Sequence, residues 1–237
     1  MKVVGIILRE FPKQIFNEEL LFRAIEQFIS WQDSISEHVD FFLDIAVPDY
    51  RLDKLSGLYK DFVSQKDFLV AEGLSDSEVN QLALLTTEVS RLCEKLSGYP
   101  VKQTIVQPVF NDNNILIDNM RKKIIIIDLG EIVISHPFFS LLNFLQQIKK
   151  HHRLTDEDDL YLKIEDVCFK NYKVYFDTKK DFQDMLVTAE LVSSIYVLVY
   201  QVRFMSACGK ENLMAYQHWK LGDLLRGFIK NNLEIKP

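Results

Sequence analysis

Residues 105–118, IVQPVFNDNNILID, set a polar loop ending in Asn113-Asn114 between two apolar runs. After a turn, the run IIIID follows and ends in Asp128-Leu129-Gly130. An amide oxygen and a carboxylate at the ends of neighbouring strands are hard ligands of the kind that hold Mg²⁺ against phosphates. Transfer of a phosphoryl group to a hydroxyl needs such ligands and a carboxylate that accepts the hydroxyl proton. In loops of this type the base stands five residues before the metal-binding Asn. Counting back from Asn114 reaches Val109, which cannot accept a proton. Alone, Asn-Asn is ordinary turn chemistry and an Asp ending a strand is an ordinary cap. The joint order of loop Asn, strand, turn, strand and Asp-x-Gly is what points to phosphate.

Other constellations fit bland roles better. His151 and His152 are helix neighbours about a hundred degrees apart and cannot share one metal ion from a single face. With Lys149, Lys150 and Arg153 they read as cations solvating a helix end. The acidic run 156–159, DEDD, follows Thr155 and reads as the first turn of a helix. His136 precedes Pro137 at a helix start and is placed to hydrogen-bond the Asp128 loop. Asp112, two residues before Asn114, lies beyond the loop's turn and would need a different path to act as base.

VVGIIL near the N-terminus reads as one strand, placed at 3–8. Leu21, Ile25, Phe28 and Ile35 recur at helical spacing from Glu18 to about Val39. A second helical stretch covers about 52–70. The third opens on the capping box Ser75–Glu78 and ends at SGYP, 97–100. Strands are predicted at QTIVQPV, NILID and KIIIID, the last two joined as a hairpin over 115–118 and 123–127. Helices are expected at about 137–151, 156–170, 178–207 and 210–232. The reading is a single domain over 1–237, mainly helical and of α+β class: strand 3–8, helices 18–98, the loop and hairpin at 103–130, and helices 137–232.

The chain has 237 residues, 48% apolar and 26% charged, which suits a globular protein with a sizeable core. Its 28 basic and 34 acidic residues give a net charge of −6, which argues against nucleic acid as a partner. Cys93, Cys168 and Cys208 are scattered in apolar surroundings and suggest buried, unpaired thiols in a reducing, cytoplasmic setting. The apolar stretch 185–200 contains Glu190 and is too short to span a bilayer, so a buried helix and no membrane partner are expected.

The combined pattern FNDNNILID…IIIIDLGEIVISHPFFSLLNFL resembles the aminoglycoside phosphotransferase and choline kinase-like family. That family carries His-Gly-Asp-x-x-x-x-Asn, a hairpin, an Ile-Asp-x-Gly motif and then a Pro-(x-x)-Asp-Leu helix start. The resemblance covers most of the chain but only the C-terminal lobe of the kinase-like fold. It implies Asn114 and Asp128 as ligands of Mg²⁺, ATP as nucleotide, and the backbone of Ile7, Leu8 and Arg9 as a hinge beside the base. Four positions depart: Val109 stands for the catalytic Asp, Gln107-Pro108 for His-Gly, and Ser140 for a supporting Asp. The family's N-terminal lobe, with its phosphate-covering loop and lysine, has no counterpart before residue 3. The expectation is therefore a pseudokinase-like binding module, with no catalytic residue, that takes a small-molecule ligand. The alternative is an active ATP-dependent phosphotransferase of small hydroxyl compounds, completed by a missing lobe or a partner chain. A bare hinge strand further implies a homodimer or protein partner covering it, or packing of residues 3–11 on the hairpin.

Overall fold

A computed structural model describes residues 6–8, 18–118, 123–209, 211 and 221–233. It is α+β and mostly helical, and it divides into two compact units: residues 1–49 with 99–187, and residues 50–98 with 188–237.

In the first unit, α1 (Glu18–Ser36) buries Leu21, Ala24, Ile25, Phe28, Gln32 and Ile35, the stripe expected from steps of three and four. It is followed by the short α2 (Val39–Asp44). A three-stranded antiparallel sheet has the order β1–β3–β4, with β1 at Ile6–Ile7, β3 at Ile115–Asp118 and β4 at Lys123–Ile126. The two strands pair antiparallel as the predicted hairpin, with Ile115 opposite Ile126 and Asp118 opposite Lys123. Ile6 and Ile7 pair with Ile117 and Leu116, so these residues take the intrachain route and pack on the hairpin. Residues 3–5 of the predicted strand 3–8 lie outside the described residues, and Leu8 follows β1 in a turn.

A second, two-stranded sheet was not foreseen in full. β2 (Thr104–Val106) pairs antiparallel with β5 (Val133–Ser135), a strand the sequence reading left unassigned. Gln27 Nε2 on α1 donates to the Ile124 carbonyl of β4 at 3.1 Å, and Gln32 Nε2 to the Ile105 carbonyl of β2 at 2.8 Å. One helix therefore fastens both sheets. The unit is completed by α7 (Phe138–His152), α8 (Asp159–Tyr172) and the first part of α9 (Lys179–Cys208). α8 begins at Asp159, three residues later than predicted. Thr155 donates through its backbone N–H and its hydroxyl to Asp158 Oδ2, at 2.5 and 2.7 Å, and so closes a turn ahead of the helix.

The second unit holds α3 (Leu52–Ser64), α4 (Lys66–Ala71), α5 (Asp76–Leu84), α6 (Thr86–Ser97), the rest of α9 and α10 (Leu221–Leu233). The capping box forms as predicted: Glu78 N–H donates to Ser75 Oγ, and Ser75 N–H donates back to Glu78. The single helix expected after it is instead two, broken at Leu85. Tyr59 is fully buried and its hydroxyl donates to the Leu82 carbonyl at 2.9 Å.

Two expectations need correction. The apolar stretch 185–200 belongs to α9, a helix of 30 residues. By length and composition α9 could cross a membrane, although half of its most apolar window is buried within the protein. Cys93 and Cys168 are buried as expected, but Cys208 is exposed.

Candidate functional site

The loop after β2 is built from the inside out. Gln107 is fully buried, and its backbone is gripped by Ser140 in the first turn of α7. The Gln107 N–H donates to Ser140 Oγ at 2.8 Å, and that hydroxyl donates back to the Gln107 carbonyl at 3.1 Å. The Gln107 side chain then reaches the hairpin's far end. Its Nε2 donates to the carbonyls of both Ile127 and Asp128 at 2.9 Å. Two of the positions that depart from the family pattern thus join the loop to the residue expected to bind metal.

Asp128 has φ of 63°, the left-handed region that side chains enter at some cost, Asp less than most. Such a conformation persists when its surroundings over-determine it, and the Gln107 bridge to its carbonyl is one such constraint. The Asp128 side chain is exposed.

Beyond Gln107 the chain turns, and Phe110 N–H donates to the Gln107 carbonyl at 3.2 Å. Phe110 is locked in an aromatic column, stacked on Phe28 of α1 at 3.6 Å and on Phe144 of α7 at 5.0 Å between ring centroids. Asn111 caps the short 3₁₀ turn Asp112–Asn114 by accepting from the Asn113 N–H at 2.8 Å. The side-chain amides of Asn111 and Asn114 converge on one acceptor, the Val109 carbonyl, at 2.6 and 2.9 Å. Asn114's own carbonyl accepts from the Ile127 N–H at 2.9 Å. Asn114 and Asp128 therefore stand at adjacent ends of the hairpin. With its Nδ2 engaged, Asn114 keeps Oδ1 as an acceptor.

One amide oxygen and one carboxylate suit Mg²⁺, which binds through one or two protein oxygens and completes its shell with water and phosphate. They are no cage by themselves. Among the described residues no group of three His, Cys, Asp or Glu side chains is placed to hold a metal ion.

Val109 offers no proton acceptor, and its carbonyl is held by the two asparagines. Asp112 is buried rather than facing the loop mouth, and its Oδ2 lies 3.3 Å from His152 Nε2 on α7. That pair was missed: the helix-end solvation expected for His152 is overturned by its contact with the loop carboxylate, forty residues away in sequence. His151 does lie outward, 3.1 Å from Gln147 Oε1, and Lys149 pairs with Asp156. His136 was expected to bond the Asp128 loop, but Gln107 fills that role. Both His136 ring nitrogens are buried without a hydrogen-bond partner, and the ring lies against Phe138 and Phe139. Burial holds its pKa down at about 3.

Of the hinge residues, Ile7 lies in β1, and Leu8 is buried with its N–H donating to the Ile115 carbonyl at 2.7 Å. The Leu8 donor is thus committed within the chain. Arg9 lies outside the described residues. Neither the models of known protein families nor the curated proteins yield a match to this chain.

Proposed function

We propose that this chain is a kinase-like, pseudokinase-type binding module, related in plan to the C-terminal lobe of aminoglycoside phosphotransferases and choline kinases, without phosphotransfer activity of its own. The observation that carries the reading is the Gln107 bracket. One side chain ties the loop after β2 to the Ile127 and Asp128 carbonyls, bringing Asn114 and Asp128 to one end of the hairpin. A phosphate-binding loop of this type needs an amide oxygen and a carboxylate side by side, and this arrangement is compatible with that need. The absence of a base rests on Val109. A positioned general base contributes about two to four powers of ten in rate, and Asp112, buried beside His152, is not presented to a substrate. The setting proposed is cytoplasmic, with no nucleic-acid or membrane partner.

The test is a phosphate-release assay with the full chain, Mg²⁺-ATP and a panel of aminoglycosides, choline and similar hydroxyl compounds. No turnover is expected. Turnover that disappears in Asp128→Ala would overturn the proposal and favour an active phosphotransferase. Calorimetry supplies the binding half: Mg²⁺-nucleotide affinity is expected to be weak, since only Asn114 Oδ1 and Asp128 serve the ion, and to be lost in Asp128→Ala. Binding unaffected by that substitution would place the nucleotide elsewhere.

A further inference from the structure

The short helix α2, in the first unit, has no buried residue although four of its six are apolar. Val39, Phe42 and Leu43 are half-buried against a small cluster of Ile35, Ile105 and Ile134. Phe41 and Ile45 face away from it and are 61% and 58% exposed. They stand one turn apart, since the Ile45 N–H donates to the Phe41 carbonyl at 3.3 Å. The Phe41 ring meets Phe42 edge-on, with centroids 5.5 Å apart and planes at 86°, which braces it on the surface.

Beside this apolar stripe runs an acidic one. Asp40 and Asp44 are also one turn apart, both are exposed, and neither carboxylate pairs with a cation among the described residues. The stripe belongs to a segment of unusual charge. Residues 24–50 hold six acids, from Glu26 to Asp49, and no Lys or Arg. They carry the whole formal charge of −6, and the rest of the chain balances at 28 acidic and 28 basic residues. Lys102 neutralises Glu37, which leaves Asp40 and Asp44 as the bare charges beside Phe41 and Ile45.

Charge decides what can cover this face. A second copy docked across a two-fold axis would bring the two acidic stripes together, and like charges repel. An anionic lipid surface repels the same carboxylates. A segment that carries cations beside its apolar side chains satisfies both stripes at once. We propose that the outer face of α2 docks a basic amphipathic helix of another protein. Phe41 and Ile45 seat among its apolar side chains, and Asp40 and Asp44 pair with its Lys or Arg. Two apolar side chains one turn apart form a ridge that fits the groove between side-chain rows of a second helix. The surface uses neither Asn114 nor Asp128, so its failure leaves the pseudokinase reading standing.

Fluorescence polarisation of the full chain with a labelled peptide of Leu and Lys at helical spacing tests it, beside the same peptide with Glu for every Lys. Saturable binding of the Lys peptide is expected, weakening as salt rises, with ¹⁵N-resolved NMR shifts centred on residues 39–47. Phe41→Ser and Asp44→Lys should each bind it at least about fivefold more weakly. Both side chains are exposed, so both variants keep the fold. Two controls should bind within about twofold of the native chain. Leu84→Ser removes an exposed apolar side chain of the second unit, and Glu157→Lys makes the same charge change on another surface. No saturable binding, equal binding of the Glu peptide, an affinity unchanged in either test variant, or an equal loss in either control would overturn the proposal. So would a different occupant. A mass that rises with concentration in the native chain and not in Phe41→Ser would assign the face to a second copy. Cosedimentation with phosphatidylcholine vesicles that Phe41→Ser abolishes would assign it to a membrane.

Discussion

Ser140 and His136, four residues apart, show how differently two buried polar side chains behave. The Ser140 hydroxyl both accepts from and donates to the Gln107 backbone. Ser140→Ala therefore strands a buried N–H and weakens a buried carbonyl, and is expected to cost about 2 kcal/mol in urea denaturation. Ser140→Thr, which keeps the hydroxyl, should recover part of that. His136 has no partner for either ring nitrogen, and burial holds its folded pKa at about 3, against about 6.5 unfolded. Between those values the unfolded chain takes up the proton and the folded chain does not. The contribution is thus fully present above about pH 6.5 and is lost as pH falls toward 3, by on the order of a few kcal/mol. Denaturation at about pH 4.5 and about pH 7.5 should show a smaller stability difference in His136→Leu than in the native chain. An equal difference in both would mean that the ring is solvated.

At the scale of elements, strongly periodic segments were legible in the residues themselves. α1 buries the predicted stripe, the Ser75–Glu78 box forms, and the predicted antiparallel hairpin is present. β5 was not legible, because Val133, Ile134 and Ser135 are all buried and show no alternation to mark a strand. Nor was the break at Leu85, which has no Gly or Pro beside it and leaves Leu84 78% exposed. In the candidate site, Asn114 and Asp128 follow from local spacing. The Asp112–His152 pair joins residues 40 positions apart, which no local pattern encodes. Two substitutions probe the second unit. Ser75→Ala removes the cap and should cost about 1 kcal/mol. At Gly222, in α10, a Cβ would lie 2.5 Å from the Glu72 carbonyl oxygen. Gly222→Ala is expected to lower stability by about 1–3 kcal/mol despite alanine's better helix propensity. A more stable variant would mean that Glu72 yields easily.

For the molecule as a whole, β1 brings the start of the chain onto a hairpin more than a hundred residues later. Leu8 is 5% exposed there, so Leu8→Ala should cost about 2–3 kcal/mol. Pairing with β3 uses one edge of β1. Light scattering asks whether the other edge recruits a second copy: a mass that rises with concentration, and stays monomeric in Ile6→Lys, is the expected result. The cysteines make each unit's opening separately observable. Cys168 lies buried in the first unit and Cys93 in the second, where burial first of all raises its thiol pKa to about 12, while Cys208 is exposed. In an alkylating reagent, Cys208 should be modified at once. The other two should be modified only as fast as their surroundings transiently open, since the thiolate is the reactive form. Mass spectrometry of the labelled peptides then gives two clocks on one chain, and their ratio tells whether the units breathe together or apart.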